Sequence, residues 1–217
     1  MRRLLQVGML LLLLLAAGCS DQAAPPGGSQ TPQPGNTAPQ PTPAVLTAQS
    51  YFPIKAGSSW TYQGEGNEFA SFTREVIYSK DNRGQFKESN GGTVSSAVFE
   101  VNADAVTRIF FKGEEYEPDN LLEDPAFTGN DNTVMIKAPL TAGTTWTSGN
   151  MEKKIVSVDA TIDTPAGKFE KCLQIEARTP ESLVTEYYQE KVGLVKREFR
   201  SGDALVTSTL SQYMIAP

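Results

Sequence analysis

The segment Lys154-Ile155-Val156-Ser157-Val158-Asp159-Ala160-Thr161-Ile162 is rich in β-branched residues, with polar residues set between them. That composition and near period-two alternation predict a strand with one face packed and one face wet. The same texture recurs on both sides. Thr73-Arg74-Glu75-Val76-Ile77-Tyr78, Ala97-Val98-Phe99-Glu100-Val101 and Val106-Thr107-Arg108-Ile109-Phe110-Phe111 precede it. Lys171–Glu176, Leu183–Tyr188, Gly193–Phe199 and Ala204–Tyr213 follow. Turn-forming clusters punctuate these runs: Asp81-Asn82-Arg83-Gly84, Asn90-Gly91-Gly92, Pro165-Ala166-Gly167 and Ser201-Gly202-Asp203. Strands recurring about every ten residues with tight turns predict an all-β fold, an antiparallel meander forming a curved sheet or half-open barrel. Helical periodicity is weak throughout, and at most a short helical turn fits near Asp119 to Phe127.

One internal repeat divides this region. Pro53-Ile54-Lys55-Ala56-Gly57-Ser58-Ser59-Trp60-Thr61 matches Pro139-Leu140-Thr141-Ala142-Gly143-Thr144-Thr145-Trp146-Thr147, and the two copies hold both tryptophans of the chain. Proline fixes φ on the approach, glycine supplies a turn, and Trp opens a strand. Two similarly started halves are therefore expected, at 51–135 and 136–217, within a single β domain at 51–217.

The preceding residues are of a different kind. Arg2 and Arg3 form a charged start, and Leu4 to Ala17 is an apolar run interrupted only by Gln6 and Gly8. The run is shorter than the roughly 20 residues that span a bilayer as a helix, and it reads as an export signal over residues 1–18. Leu15-Ala16-Ala17-Gly18-Cys19 resembles the lipobox of bacterial lipoproteins. The resemblance implies lipidation of Cys19, including palmitate-type acylation, and anchoring on the extracytoplasmic face of the cell membrane. Two or more acyl chains anchor stably where one does not. Residues 19–50 then read as a disordered tether, because Ser20 to Ser50 holds seven of the fourteen prolines and no aromatic residue.

Composition excludes several chemistries. The chain has no His, which removes Ser-His and Cys-His nucleophilic sites and imidazole acid–base catalysis. Removal of residues 1–18 leaves 17 basic against 25 acidic residues, a net charge of −8, which argues against a nucleic-acid partner. Of two cysteines Cys19 is committed to lipid, so Cys172 has no partner and reads as a buried, inert thiol.

Three groups of residues stand out. Tyr51, Phe52, Trp60 and Tyr62, with Trp146, either line a ligand site or plug the barrel. Glu117, Asp119, Glu123 and Asp124 lie in an acidic stretch without Lys or Arg between Lys112 and Lys137. Such oxygen-rich loops suit Ca²⁺, although the spacing matches no EF-hand and a solvated loop is the simpler reading. Paired carboxylates of a glycan hydrolase are permitted by so many acids but are not indicated by any motif.

The pattern Tyr51-Phe52-Pro53-Ile54-x-x-Gly57-x-x-Trp60-x-Tyr62 resembles the opening of a set of bacterial exported proteins and lipoproteins. Asp163-Thr164-Pro165-Ala166-Gly167-Lys168-Phe169 and Tyr187-Tyr188 with Val192-Gly193-Leu194-Val195-Lys196 are similar to the same set. The resemblance implies a β-rich exported domain and supplies no catalytic residues. The architecture is more distantly similar to the half-open barrels of lipoprotein carriers, by analogy of fold alone. The expectation is thus a membrane-anchored, non-enzymatic lipoprotein without a cofactor beyond its covalent lipid. It would bind a hydrophobic ligand such as lipid, or act as an envelope interaction or structural module with a filled core. An apolar cavity of several hundred cubic ångströms would favour the first, and a plugged interior the second.

Overall fold

The computed structural model describes residues 46–217. The export signal, Cys19 and the tether up to residue 45 lie outside the described residues.

Among the described residues twelve antiparallel strands form one sheet. They are β1 (Ser59–Glu65), β2 (Phe72–Lys80), β3 (Arg83–Ser89), β4 (Val94–Val101), β5 (Ala105–Gly113), β6 (Thr133–Lys137), β7 (Thr145–Ser148), β8 (Met151–Thr164), β9 (Gly167–Arg178), β10 (Leu183–Gln189), β11 (Gly193–Ser201) and β12 (Ala204–Met214). Every strand pairs with its sequence neighbours except at one place. The order β6-β5-β4-β3-β2-β1-β12-β11-β10-β9-β8-β7 joins the first strand to the last, and leaves β6 and β7 as the two edges. Ladder shifts in β1–β12, β2–β3, β4–β5 and β10–β11 bend the sheet into a barrel-like curve, as bulges do.

Side chains bridge the seam where the ladder is missing. The Val134 amide on β6 donates to Ser148 Oγ on β7 at 2.8 Å, and Trp146 Nε1 donates to the Val134 carbonyl at 3.1 Å. Both edges are thereby kept from presenting a bare row of backbone groups.

The two halves begin alike in detail. Gly57 and Gly143 take φ of +89° and +96°, a region in which L side chains are strained. In the first turn the Ser58 amide donates to the Lys55 carbonyl, and Gly57 and Ser58 exchange bonds with Val76. In the second the Thr144 amide donates to the Thr141 carbonyl, and Gly143 and Thr144 exchange bonds with Ile155. Each turn thus clasps the strand that follows, β2 or β8, and delivers its Trp into the interior.

Among the described residues helix is confined to a 3-10 turn at Ala48–Tyr51. The helical turn expected near Asp119 to Phe127 is instead a run of isolated turns with bonds from Glu123 to Asn120, Asp124 to Leu121 and Phe127 to Asp124. Asn120 within this stretch, and Pro118 and Gly129 flanking it, favour turns over a sustained helix. The ordered region reaches back past Tyr51, since Ala48 is fully buried and its amide donates to Ala103.

Candidate functional site

The 3-10 turn is anchored on both sides of one barrel end. Ala48 and Gln49 donate to Ala103 and Asn102 in the β4–β5 turn, while Ser50 accepts from Lys191 in the β10–β11 turn. The turn therefore delivers Tyr51 and Phe52 inward, and both are buried. Phe52 packs on Phe86 and Phe99 at centroid distances of 5.5 and 4.8 Å, and Trp60 stacks near Phe86 at 6.2 Å. Tyr62 stacks on Phe72 at 4.2 Å.

Polar atoms of this cluster are matched. Trp60 Nε1 donates to the Val192 carbonyl at 2.7 Å and Tyr62 Oη to the Leu194 carbonyl at 2.9 Å. Both bonds run from β1 past β12 to the start of β11. Between Phe52, Trp60, Tyr62 and Phe86 only about 10 Å³ of space remains, room for one water at most. Burial pushes the Tyr62 hydroxyl well above its ordinary value, and burial with Glu190 does the same for Tyr51. Trp146 stands apart from this group, at the β6–β7 seam.

Beyond the aromatic layer the inward positions are charged. On β2 and β3, Arg74 donates through Nε and Nη2 to Glu88 at 2.9 and 2.6 Å. On β10 and β11, Arg197 Nε donates to Glu186 at 3.0 Å, and Tyr188 Oη donates to the other Glu186 oxygen at 2.8 Å. Arg108 on β5 pairs with Asp131 before β6. Lys153 on β8 is 3% exposed, and its recorded partner is the Met135 sulfur at 3.9 Å.

The electrostatics follow from this layout. Burial alone would raise the carboxyls of Glu186 and Glu88, yet both sit below their ordinary values. Arg197 and Lys153 hold down Glu186, and Arg74 and Arg197 hold down Glu88. Burial pushes the Lys153 ammonium below its ordinary value, with Glu186 opposing. The arginines also lie on aromatic rings. Arg74 and Arg197 share the Phe72 ring at 5.7 and 5.8 Å, and Arg108 lies over Phe111 at 4.8 Å.

These charges were not selected from sequence, although a signal was present. Phe72, Arg74 and Val76 alternate on one face of β2, and a charge in phase with two buried apolar residues must point inward.

The acidic stretch folds over the outer face of β3–β5. Gln85, fully buried, donates to the Asp119 carbonyl at 2.8 Å and accepts from the Leu121 amide at 2.9 Å, so its amide acts as a strand for the loop. Glu117, Asp119, Glu123 and Asp124 are exposed. Glu123 pairs with Lys80 at 3.1 Å, and Asp124 accepts from the Ala126 amide at 2.8 Å. Among the described residues no three acidic or cysteine side chains gather at metal-binding distance.

No family model matches the chain, and no curated protein matches it. Two solved structures are similar. One is a protein from Parabacteroides distasonis described as a lipoprotein, with 15% identity, TM-score 0.43, and coverage of 78% of this chain and 99% of the other. The second is a protein from Bacteroides fragilis described as exported, with a YmcC-like fold, 14% identity, TM-score 0.37, and coverage of 76% and 98%.

Proposed function

We propose that the chain is a lipid-anchored, non-enzymatic module of the cell envelope, held at the extracytoplasmic face of the membrane through Cys19. In this reading the barrel is a scaffold and its outer surface meets an envelope protein partner. One observation carries the choice: the spaces between the inward-facing side chains are small. The aromatic layer leaves about 10 Å³ and the charged layer beyond it about 100 Å³, neither of which admits an acyl chain. The chain also lacks His, and its buried Cys172 thiol has no base beside it, which supports a non-enzymatic role.

A hydrophobic ligand such as lipid is the second reading. It is favoured by a recess of about 500 Å³ where Phe52, Pro53, Ile54 and Val101 lie beside Asp81 and Asn82. Native mass spectrometry of the membrane-extracted chain separates the two. The scaffold predicts a clean mass after mild delipidation, and a stoichiometric lipid released by organic solvent supports the ligand reading instead. The anchor has its own test. Cys19→Ser should move the protein from the membrane fraction to the soluble one, and continued retention would contradict lipidation.

A further inference from the structure

The charged layer is not self-neutralising. Among the described residues Arg74, Arg108 and Arg197 are matched one for one by Glu88, Asp131 and Glu186, and Lys153 is the cation in excess, inside a chain whose net charge is −6. An excess cation within an acidic protein is costly unless something offsets it.

The arginines also keep donors in reserve. Arg197 and Arg108 each spend only Nε on a carboxylate, and Arg74 spends Nε and Nη2. Among the described residues, both Nη atoms of Arg108 and Arg197 and the Nη1 of Arg74 have no protein acceptor. No fully buried side-chain nitrogen lacks a partner, so these atoms border open space. That space is a cavity of about 100 Å³ which all three arginines line, together with Glu88, Ser95 and Phe111. It has room for several waters or one small oxyanion.

Each guanidinium is fixed before any ligand arrives. A carboxylate grips one edge and an aromatic ring supports the face, so little side-chain entropy remains to be lost on binding. Three planar forks around one small space suit a tetrahedral oxyanion better than a planar one, since it accepts from three directions. Phe111 is the most accessible lining group, and Glu88, Arg108 and Arg197 are each about a third exposed, so the cavity opens beside Phe111.

We propose that this lumenal cavity, bounded by Arg74, Arg108 and Arg197, binds a phosphate group, either free or as the headgroup of a lipid whose tails stay outside. The site is independent of the scaffold reading and of the anchor.

Calorimetric titration of the full chain in non-ionic detergent tests it, with inorganic phosphate against chloride at matched ionic strength. Saturable binding with a Kd on the order of 0.1 mM is expected for a few charge-assisted bonds offset by association entropy. Arg108→Gln should weaken it about tenfold, while Arg108→Lys restores part of the loss. Dihexanoyl phosphatidic acid below its micelle concentration identifies the source. Binding tighter than that of inorganic phosphate indicates a lipid headgroup, and equal binding indicates free phosphate. Absence of saturable heat, or a Kd that none of these variants moves, overturns the proposal.

Discussion

Arg74 and Lys153 occupy equivalent positions in the two halves of the barrel. Each lies directly across a strand pair from the repeat's tryptophan, Arg74 opposite Trp60 and Lys153 opposite Trp146. Each also stands two residues before the residue clasped by the turn, Val76 or Ile155. Their surroundings then diverge. Arg74 faces Glu88 on the next strand, whereas Lys153 faces Ala177. One copy of the position carries a matched ion pair and the other a buried cation whose nearest compensation, Glu186, is already held by Arg197 and Tyr188.

Lys153→Met should therefore stabilise the protein. The folded state holds the Lys153 proton less tightly than the unfolded chain, so the charged amine is a penalty. That penalty is absent above the ordinary value of 10.5, grows as pH falls through the window between it and the depressed folded value, and is constant below. Methionine removes the charge and keeps the packing beside Met135. A gain on the order of 1 kcal/mol at pH 7 is expected, shrinking towards pH 10.5. Urea denaturation at pH 7 and pH 10 measures both; a loss at pH 7 would show that Lys153 is compensated.

Glu186→Gln should act in the opposite direction. The folded carboxyls of Glu186 and Glu88 lie below 4.5, so their contribution is complete above that pH and is lost as pH falls through the depressed values. Replacing Glu186 leaves Arg197 without its hydrogen-bonded carboxylate, with Glu88 as its remaining nearby anion, and leaves Lys153 with no nearby anion. The cost should be about 3–5 kcal/mol at pH 7, with a shallower loss of stability below pH 4.5. Chemical denaturation from pH 3 to pH 7 gives both numbers, and an unchanged acid limb would assign acid sensitivity to other groups.

The fold was readable because its signals are local. Alternation in Thr73–Tyr78 and Lys154–Ile162, turn residues between runs, and the Pro-x-x-Ala-Gly repeat each act within a few residues, and the structure follows them. The lumen was less readable because its pairs are made at a distance. Arg74 finds Glu88 through strand register, but Arg197 near Arg74, across β1 and β12, and Lys153 near Glu186, across β9, require the sheet to curve. The acidic residues 114–131 show the same limit: their density suggests a cation site, while their placement depends on Gln85, whose buried position on β3 no local pattern marks.

Closure itself rests on few atoms and should be separable from global stability. Ser148→Ala removes the acceptor of the Val134 amide, and Trp146→Phe removes the donor to the Val134 carbonyl. Each should cost on the order of 1 kcal/mol. Amide exchange at Val134 should accelerate in Ser148→Ala well beyond the roughly fivefold change that a loss of about 1 kcal/mol gives amides of the continuous β1–β12 ladder. Equal acceleration in both places would mean that the seam opens only with the whole barrel.

Cys172 offers a probe of that global opening. It is fully buried on β9, its thiol donates to Gln189 Oε1 at 3.3 Å, and burial pushes it up to about 11. At pH 8 roughly one thiol in a thousand is ionised, and that fraction has no route to reagent. The non-lipidated Cys19→Ser chain, which retains Cys172 as its sole thiol, should resist Ellman's reagent when folded and titrate as one equivalent in guanidinium. Its slow native labelling should follow the unfolding equilibrium, so Lys153→Met should retard it and Ser148→Ala should speed it, each about fivefold for about 1 kcal/mol. Rapid native labelling would instead show that β9 opens locally and that the core around Tyr51 and Cys172 is not held by the barrel as a whole.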